Sequence, residues 1–308
     1  GSFGALRPPV NIYVLAGPDG LIFDAGYGNK TDICFFIKEF KEIQQVTEKR
    51  GIEFAVRRIL PSHAHPDHFS GLSSLRKELG LSVVLTTSTA RIIPSRDVYR
   101  ASYNIESGIP TAVENTFLRT IRQKTIGRGI SFIYERLFGT EFIPDPDVVL
   151  DDNSEIAING ETWRIIHSPG HSMDHISLYN PENGILFAGD NILRSITTWL
   201  GPPKSDLSAY IDSLEKLRML PKLKLILSAH GSAITNPKER ISELIQWRNE
   251  RTAHLLDLLR QRGEKGITLK MILERLYEKE SWVKHRMAEG WVIVTLEYLE
   301  KKGLASFR

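Results

Sequence analysis

The stretch Pro61–Gly71, reading PSHAHPDHFSG, constrains this chain more than any other. It places His63, His65, Asp67 and His68 within six positions, directly after an apolar run (Phe54, Ala55, Val56, Ile59, Leu60) that reads as a buried strand ending at Pro61. On an extended segment alternate side chains share a face, so His63 and His65 point the same way. Imidazole nitrogen and carboxylate oxygen both suit zinc or a similar divalent ion. Asp67 and His68 follow where the chain turns into a helix, in a position to serve a second ion beside the first.

With 308 residues, 41% hydrophobic and 25% charged, the chain has enough material for a large core, expected as a main domain plus a small one. The formal charge of +3 is too small to argue for nucleic acid by itself. A single cysteine, Cys34, excludes an internal disulfide framework and a thiolate-rich zinc site. Its place in the apolar run ICFFI predicts a buried core thiol. No apolar stretch approaches the roughly 20 residues needed to span a bilayer. The start lacks the basic and apolar regions of a signal peptide, and Gly1-Ser2 resembles a remnant of expression. Cytoplasmic location is the default expectation.

Along the chain, VNIYVLAGPDGLIFDAGYG predicts a strand hairpin turning at Pro18-Asp19-Gly20. Asp24, followed by Ala25 and Gly26, ends the second strand. A carboxylate there either forms a turn or accepts hydrogen bonds from the neighbouring loop, and the second reading, behind the ligands, is favoured. Residues 31 to 50 have helical spacing through Ile33, Phe36, Ile37, Phe40, Ile43 and Val46. After the histidine string come a helix closed by Gly80 and the strand LSVVLTT, so strand, ligand loop, helix and strand make an α/β pattern. From about Pro94 to Pro146 the spacing becomes helical, with aromatic residues among Arg119, Arg122, Lys124 and Arg128. This predicts a helical insertion whose aromatics pack on the core or line a pocket, with Arg122 and Arg128 meeting an anionic group of the substrate. Strands then resume, with a hairpin turn at Asn159-Gly160. His171, Asp190 and His230 stand at the ends of separate apolar strand segments.

Taken together, SHAHPDH, SPGHS, FAGDNIL and SAHG resemble, in order and context, the motifs of the metallo-β-lactamase superfamily over about residues 10 to 235. The resemblance implies a four-layer αββα sandwich carrying the helical insertion at about 94–146, with a main domain over 3–236 and a small helical module over 237–308. It implies that His63, His65 and His171 bind one ion, Asp67, His68 and His230 a second, and that Asp190 bridges them. Two divalent ions are expected, zinc first, with Mn2+ or Fe2+ also compatible with such donors. Two close cations would lower the pKa of a shared water, so that a bridging hydroxide attacks a polarised carbonyl or phosphoryl group. Asp67 and His175 are the expected catalytic residues. His175 resembles a histidine of many hydrolytic members, lying behind the metals or facing substrate, and Asp174 is a weaker candidate for a supporting role. His167, His254 and His285 are expected to be structural or on the surface. SAHG departs from the PGHG frequent around the last histidine, which puts the shape of that loop in question but not the ligand.

From Pro237 the chain reads as helices, with Thr268 capping TLKMILERLY. The ending LEYLEKKGLASF resembles the winged-helix-type C-terminal domain of a lactamase-like subgroup that includes an endoribonuclease and thioesterase-like, glyoxalase II-like proteins. Acidic residues interspersed among its basic ones fit packing or homodimerisation better than nucleic acid. Two functions compete. The first is hydrolysis of a small-molecule thioester, ester or lactone; the second is a metal-dependent endoribonuclease cutting phosphodiesters. The first is preferred. A catalytically silent protein is disfavoured because every ligand position is filled, and an antibiotic β-lactamase because no secretion signal is visible.

Overall fold

The computed structural model describes residues 7–103, 135–202, 204–277 and 282–306. The N-terminal hairpin forms as its alternation predicts, with β1 (Tyr13–Leu15) antiparallel to β2 (Gly20–Phe23). Helix α1 (Lys30–Lys49) starts at Asn29, whose side chain accepts from the Asp32 amide at 3.2 Å. Next come β3 (Val56–Leu60), α2 (Pro66–Phe69) and α3 (Leu72–Leu79), the last closed by Gly80 in the left-handed conformation. They lead to β4 (Ser82–Thr86), α4 (Thr87–Ile92) and α5 (Arg96–Tyr103). Strand β5 (Val148–Leu150) closes a first sheet in the order β1-β2-β3-β4-β5, parallel from β2 onward.

The second sheet holds β6 (Ser154–Ile158), β7 (Glu161–His167), β8 (Ile176–Asn180), β9 (Ile185–Gly189) and β10 (Leu225–Ser228). Its order is β10-β9-β8-β7-β6, antiparallel except for the β9/β10 pair. Asn159 and Gly160 both have positive φ, 53° and 80°, the geometry of the two-residue hairpin expected there. Helix α6 (Leu207–Arg218) bridges β9 and β10, and α7 (Pro237–Arg262), α8 (Leu269–Tyr277) and α9 (Trp282–Lys301) complete the chain.

Strands β2, β4, β8 and β9 are buried on both faces because the sheets stack between helices. Leu21, Phe23, Leu60 and Val84 meet Ile165, Ile176, Leu178 and Phe187 between the sheets. On the outer face of the first sheet Ile22, Ile59 and Val83 meet Ile33, Phe40, Leu72 and Leu75. On that of the second, Tyr179, Leu186 and Ile226 meet Tyr210, Leu214, Ile241 and Leu244. This is the αββα sandwich.

Three expectations need adjustment. Cys34 is exposed rather than a core thiol, and Phe35 beside it is 64% exposed. One stripe of α1 is buried, and Ile33 and Phe40 set its phase, so an unbroken apolar run necessarily puts some members outside. Residues 140–146, expected as the end of a helical insertion, are irregular, held by the Ile143 amide on Ile93 O at 2.9 Å. Within the insertion Tyr99 packs on Phe69 and Phe142, and Phe138 on Tyr27. Arg119, Arg122, Lys124 and Arg128 lie outside the described residues. Among the described residues the C-terminal segment is helical and carries no wing strands. It is not set apart from the sandwich: α7 gives Ile241, Leu244 and Ile245 to the outer layer, then Leu255 and Leu258 to a cluster with Ile272, Trp291 and Val292.

Candidate metal centre

All seven expected ligands converge at one end of the sandwich. Strand β3 delivers His63 and His65; His65 caps α2, with Pro66 at its first turn, and that turn presents Asp67 and His68. His171 follows β7, Asp190 follows β9 and His230 follows β10.

Their atoms fall into two groups sharing Asp190. His65 Nδ1 lies 2.8 Å from both His63 Nε2 and His171 Nε2, and His171 Nε2 is 3.3 Å from Asp190 Oδ2. Asp190 Oδ1 is 3.4 Å from His68 Nε2 and from His230 Nε2. Asp67 completes the second group, with Oδ2 3.4 Å from His230 Nε2 and Oδ1 3.7 Å from His68 Nε2.

The outer nitrogens explain why these rings face inward. His171 Nδ1 donates to Trp199 O at 2.8 Å and His230 Nδ1 to Pro9 O at 2.7 Å, which turns the Nε2 of each ring toward the site. His68 Nδ1 lies 3.0 Å from Asp24 Oδ2 and 3.2 Å from Ser62 Oγ, which also approaches His63 Nδ1 at 3.0 Å. Asp24 additionally accepts from the Ser62 amide at 2.7 Å, the behind-the-ligands role expected of it. Its φ of 68° is the left-handed conformation that aspartate tolerates better than most residues.

Electrostatics separate the two groups. Burial drives His63 well below the ordinary imidazole value and takes His65 down to about 3, with neighbouring imidazoles adding to both shifts. Burial also opposes charge on His68 and His230, but carboxylates win there. Asp24, Asp67 and Asp190 raise His68 well above its usual value, and Asp67 and Asp190 raise His230 to about 9. Against burial, His68 in turn holds Asp67 and Asp190 below the usual carboxylate range, helped by His230 and His171 respectively.

The donors fit divalent cations on two counts. Three ring nitrogens crowd one point, where lone pairs facing one another have no shared acceptor except a cation. Two buried atoms aimed into the site, His68 Nε2 and Asp190 Oδ1, also lack any hydrogen-bond partner. Nitrogen and oxygen donors of this kind suit divalent ions without selecting one.

A family model described as the metallo-beta-lactamase superfamily matches residues 6–230. The chain belongs to the metallo-beta-lactamase superfamily. Within it, the chain is 33% identical over 155 residues to a beta-lactamase-like protein 2 homolog of Caenorhabditis elegans, a match covering 50% of each chain. It is 32% identical over 175 residues to the Drosophila melanogaster homolog, covering 54% of this chain and 58% of that one. The matched region thus spans little more than half the length of these two relatives. An atrochrysone carboxyl ACP thioesterase of Emericella nidulans is 25% identical over 299 residues, 96% of this chain and 76% of that one. In fold, a superfamily protein from Thermus thermophilus aligns with a TM-score of 0.67 at 23% identity, covering 96% and 89% of the two chains. A beta-lactamase domain protein from Burkholderia ambifaria gives 0.71 at 19%, covering 96% and 85%.

Of the two positions expected of His175, behind the metals or facing substrate, it takes the first and touches no open part of the site. It is fully buried beneath Asp190, whose amide donates to its Nε2 at 3.1 Å, while its Nδ1 meets Ser168 Oγ at 3.0 Å. Burial holds its pKa well below the ordinary value, so it is a neutral positioning residue for Asp190. The missing side chain of Gly189 allows this approach, since a Cβ there would strike the His175 ring. Asp174 braces the histidine turn from behind, accepting from the Ala64 amide at 2.8 Å and from Thr89 Oγ1 at 3.0 Å. His167 is structural, its Nε2 2.8 Å from Met173 O, and His254 is exposed. The loop of the altered SAHG string is held by Asn11, whose side chain donates to Ser228 O at 3.0 Å and Gly231 O at 2.7 Å, and by Tyr13, donating to Ser228 O at 2.7 Å. Sequence reasoning missed Asn11, Tyr13 and the carbonyls of Pro9 and Trp199. A backbone carbonyl carries no residue signature, so the sequence held no signal for those two.

Proposed function

We propose that this protein is a dinuclear metal-dependent hydrolase acting on a thioester or related acyl substrate. The observation that carries this reading is the shared carboxylate: Asp190 faces His171 with one oxygen and both His68 and His230 with the other. His63, His65, His171 and Asp190 would hold one ion, and Asp67, His68, His230 and Asp190 the other. When bound, two such ions supply Lewis acidity and lower the pKa of a water between them. The protein's part is to hold the donors in place before the substrate arrives. The carbonyls of Trp199 and Pro9, with Asp24, fix three imidazoles. Asp67, half-buried and held ionised, is the carboxylate placed to accept a proton from an attacking water.

An acyl substrate is favoured over RNA by the loops around the site. Met173, two residues after His171, is 44% exposed; Ile196 and Trp199, after Asp190, are 63% and 42% exposed. Exposed apolar side chains on the segments that follow the ligands in sequence suit an acyl group better than a phosphate backbone. The likeness to an acyl-carrier-protein thioesterase over nearly the whole chain supports the same reading. Metal analysis of purified protein is expected to give about two divalent ions per chain. Acyl-CoA and acyl-carrier-protein thioesters, a lactone and a short RNA would then be assayed side by side. Turnover of thioesters ahead of the others is expected, and activity confined to the RNA would reverse the reading.

A further inference from the structure

Arg248 lies on α7, beyond residue 230 where the family match ends, yet it reaches the site. Its guanidinium is buried, 4% exposed, and among the described residues no carboxylate forms an ion pair with it. It lies over the rings of Trp247 at 4.9 Å and Tyr210 at 5.5 Å, and its Nε has no hydrogen-bond partner. A buried cation without a carboxylate is costly, and such a group persists where something else requires it. The contact it makes is specific: its terminal NH2 donates to Thr198 O. From that residue two links run to metal-facing groups. Thr198 Oγ1 donates to the carbonyl of Asp190 and lies 3.1 Å from that of Asn191. The next residue, Trp199, supplies the carbonyl that accepts from His171 Nδ1.

We infer that Arg248 is a positioning residue through which the C-terminal helix sets the aim of His171 and Asp190, and so the metal affinity of the His63, His65, His171 and Asp190 group. The inference rests on the two-ion reading of the site. It requires an asymmetry, because Asp67, His68 and His230 receive nothing from Arg248 except through Asp190. Removing the guanidinium should loosen the first group more than the second.

The test compares the wild-type chain with Arg248→Met, which fills the volume without the charge, and Arg248→Lys, which keeps the charge. Zn2+ affinities are measured by competition with a chromophoric chelator, visible spectra are recorded with Co2+, and folding is followed by circular dichroism. Arg248→Met is expected to weaken the first group's Zn2+ affinity about 10- to 100-fold, the usual range for losing an outer partner of a ligand. The second group's affinity should fall less, the Co2+ spectrum should shift, and Arg248→Lys should recover part of the loss. A folded Arg248→Met with both affinities and the spectrum unchanged overturns the inference. So does an equal loss at both groups, which is what general loosening would give. Should Arg248→Met fail to fold, Arg248→Lys is read alone: a weaker first group beside a nearly unchanged second supports the inference, and both affinities unchanged or equally reduced overturn it. A wild-type chain that takes up no more than one ion would instead sink the two-ion reading, a separate outcome.

Discussion

His63, His65, Asp67 and His68 arrive on a single turn between β3 and α2, whereas His171, Asp190 and His230 arrive on three separate strand ends. The first half is braced from close behind, by Ser62, Asp24 and Asp174. The second is braced by one group for each ligand: Pro9 for His230, Trp199 for His171, and His175 for Asp190. A turn that carries four ligands fixes their spacing locally, although Asp24 and Asp174 must still reach it from elsewhere in the chain. Ligands on separate strand ends hold their geometry only when the second sheet pairs in register from β7 to β10.

The largest expected effect belongs to Asp190, which faces both groups. Asp190→Ala should empty both sites and lower turnover on the order of a thousandfold, several kcal/mol of transition-state stabilisation. Metal content and kcat/KM check this, and retention of two ions would count against a shared carboxylate.

Asp24→Asn comes next, because asparagine keeps the left-handed backbone while removing the charge beside His68. Affinity of the Asp67, His68 and His230 group should fall about 10- to 100-fold with the other group nearly unchanged, the reverse of the asymmetry expected for Arg248. Chelator competition at each group reads it.

Acidity should separate the groups too. His68 and His230 are raised in the ion-free protein, so their ligand atoms are protonated at neutral pH and each must lose a proton when an ion binds; His63 and His65 are lowered and already neutral. Zn2+ uptake by the Asp67, His68 and His230 group should therefore release about two protons and weaken steeply as pH falls from about 8 to about 6, whereas the other group should hold its ion further down. Calorimetry in buffers of different ionisation enthalpy counts the protons.

The smallest effect lies away from the metals. Asp206 caps α6 through the Ala209 amide at 3.0 Å and pairs with Lys301 of α9 at 2.8 Å. Its pKa is lowered in the folded chain, since those partners outweigh burial. The stability it contributes is thus present above the unfolded aspartate pKa and lost as pH falls through the lower folded value. Asp206→Ala should cost about 1 kcal/mol in urea unfolding at neutral pH and less at about pH 3. Metal affinity should not change.

Much of the site was legible because metal ligands are side chains of few types, and strand ends can be read from apolar runs bounded by turn residues. Sheet order was not, since nothing local says that β10 lies beside β9 or that the first sheet runs straight from β1 to β5. His175 could be narrowed no further than behind the ligands or facing substrate for a related reason, since only packing puts it under Asp190. Cys34 was misjudged because helical spacing fixes a period but not a phase. The partners of the second half stayed hidden for the most general reason, that Pro9 and Trp199 act through atoms every residue has.

The 26-residue helix α7 has a practical consequence for anyone recombining this scaffold. At 1.5 Å per residue it is roughly 39 Å long, and one end belongs to the sandwich while the other belongs to the terminal cluster. A junction at residue 236 would strip Ile241, Leu244, Ile245 and Arg248 from the outer layer and leave β10 uncovered. A graft of a different tail should retain the helix through Thr252 and splice ahead of Leu255. The replacement then inherits a rigid rod whose base is already anchored, so its orientation is dictated by the host and not by the guest.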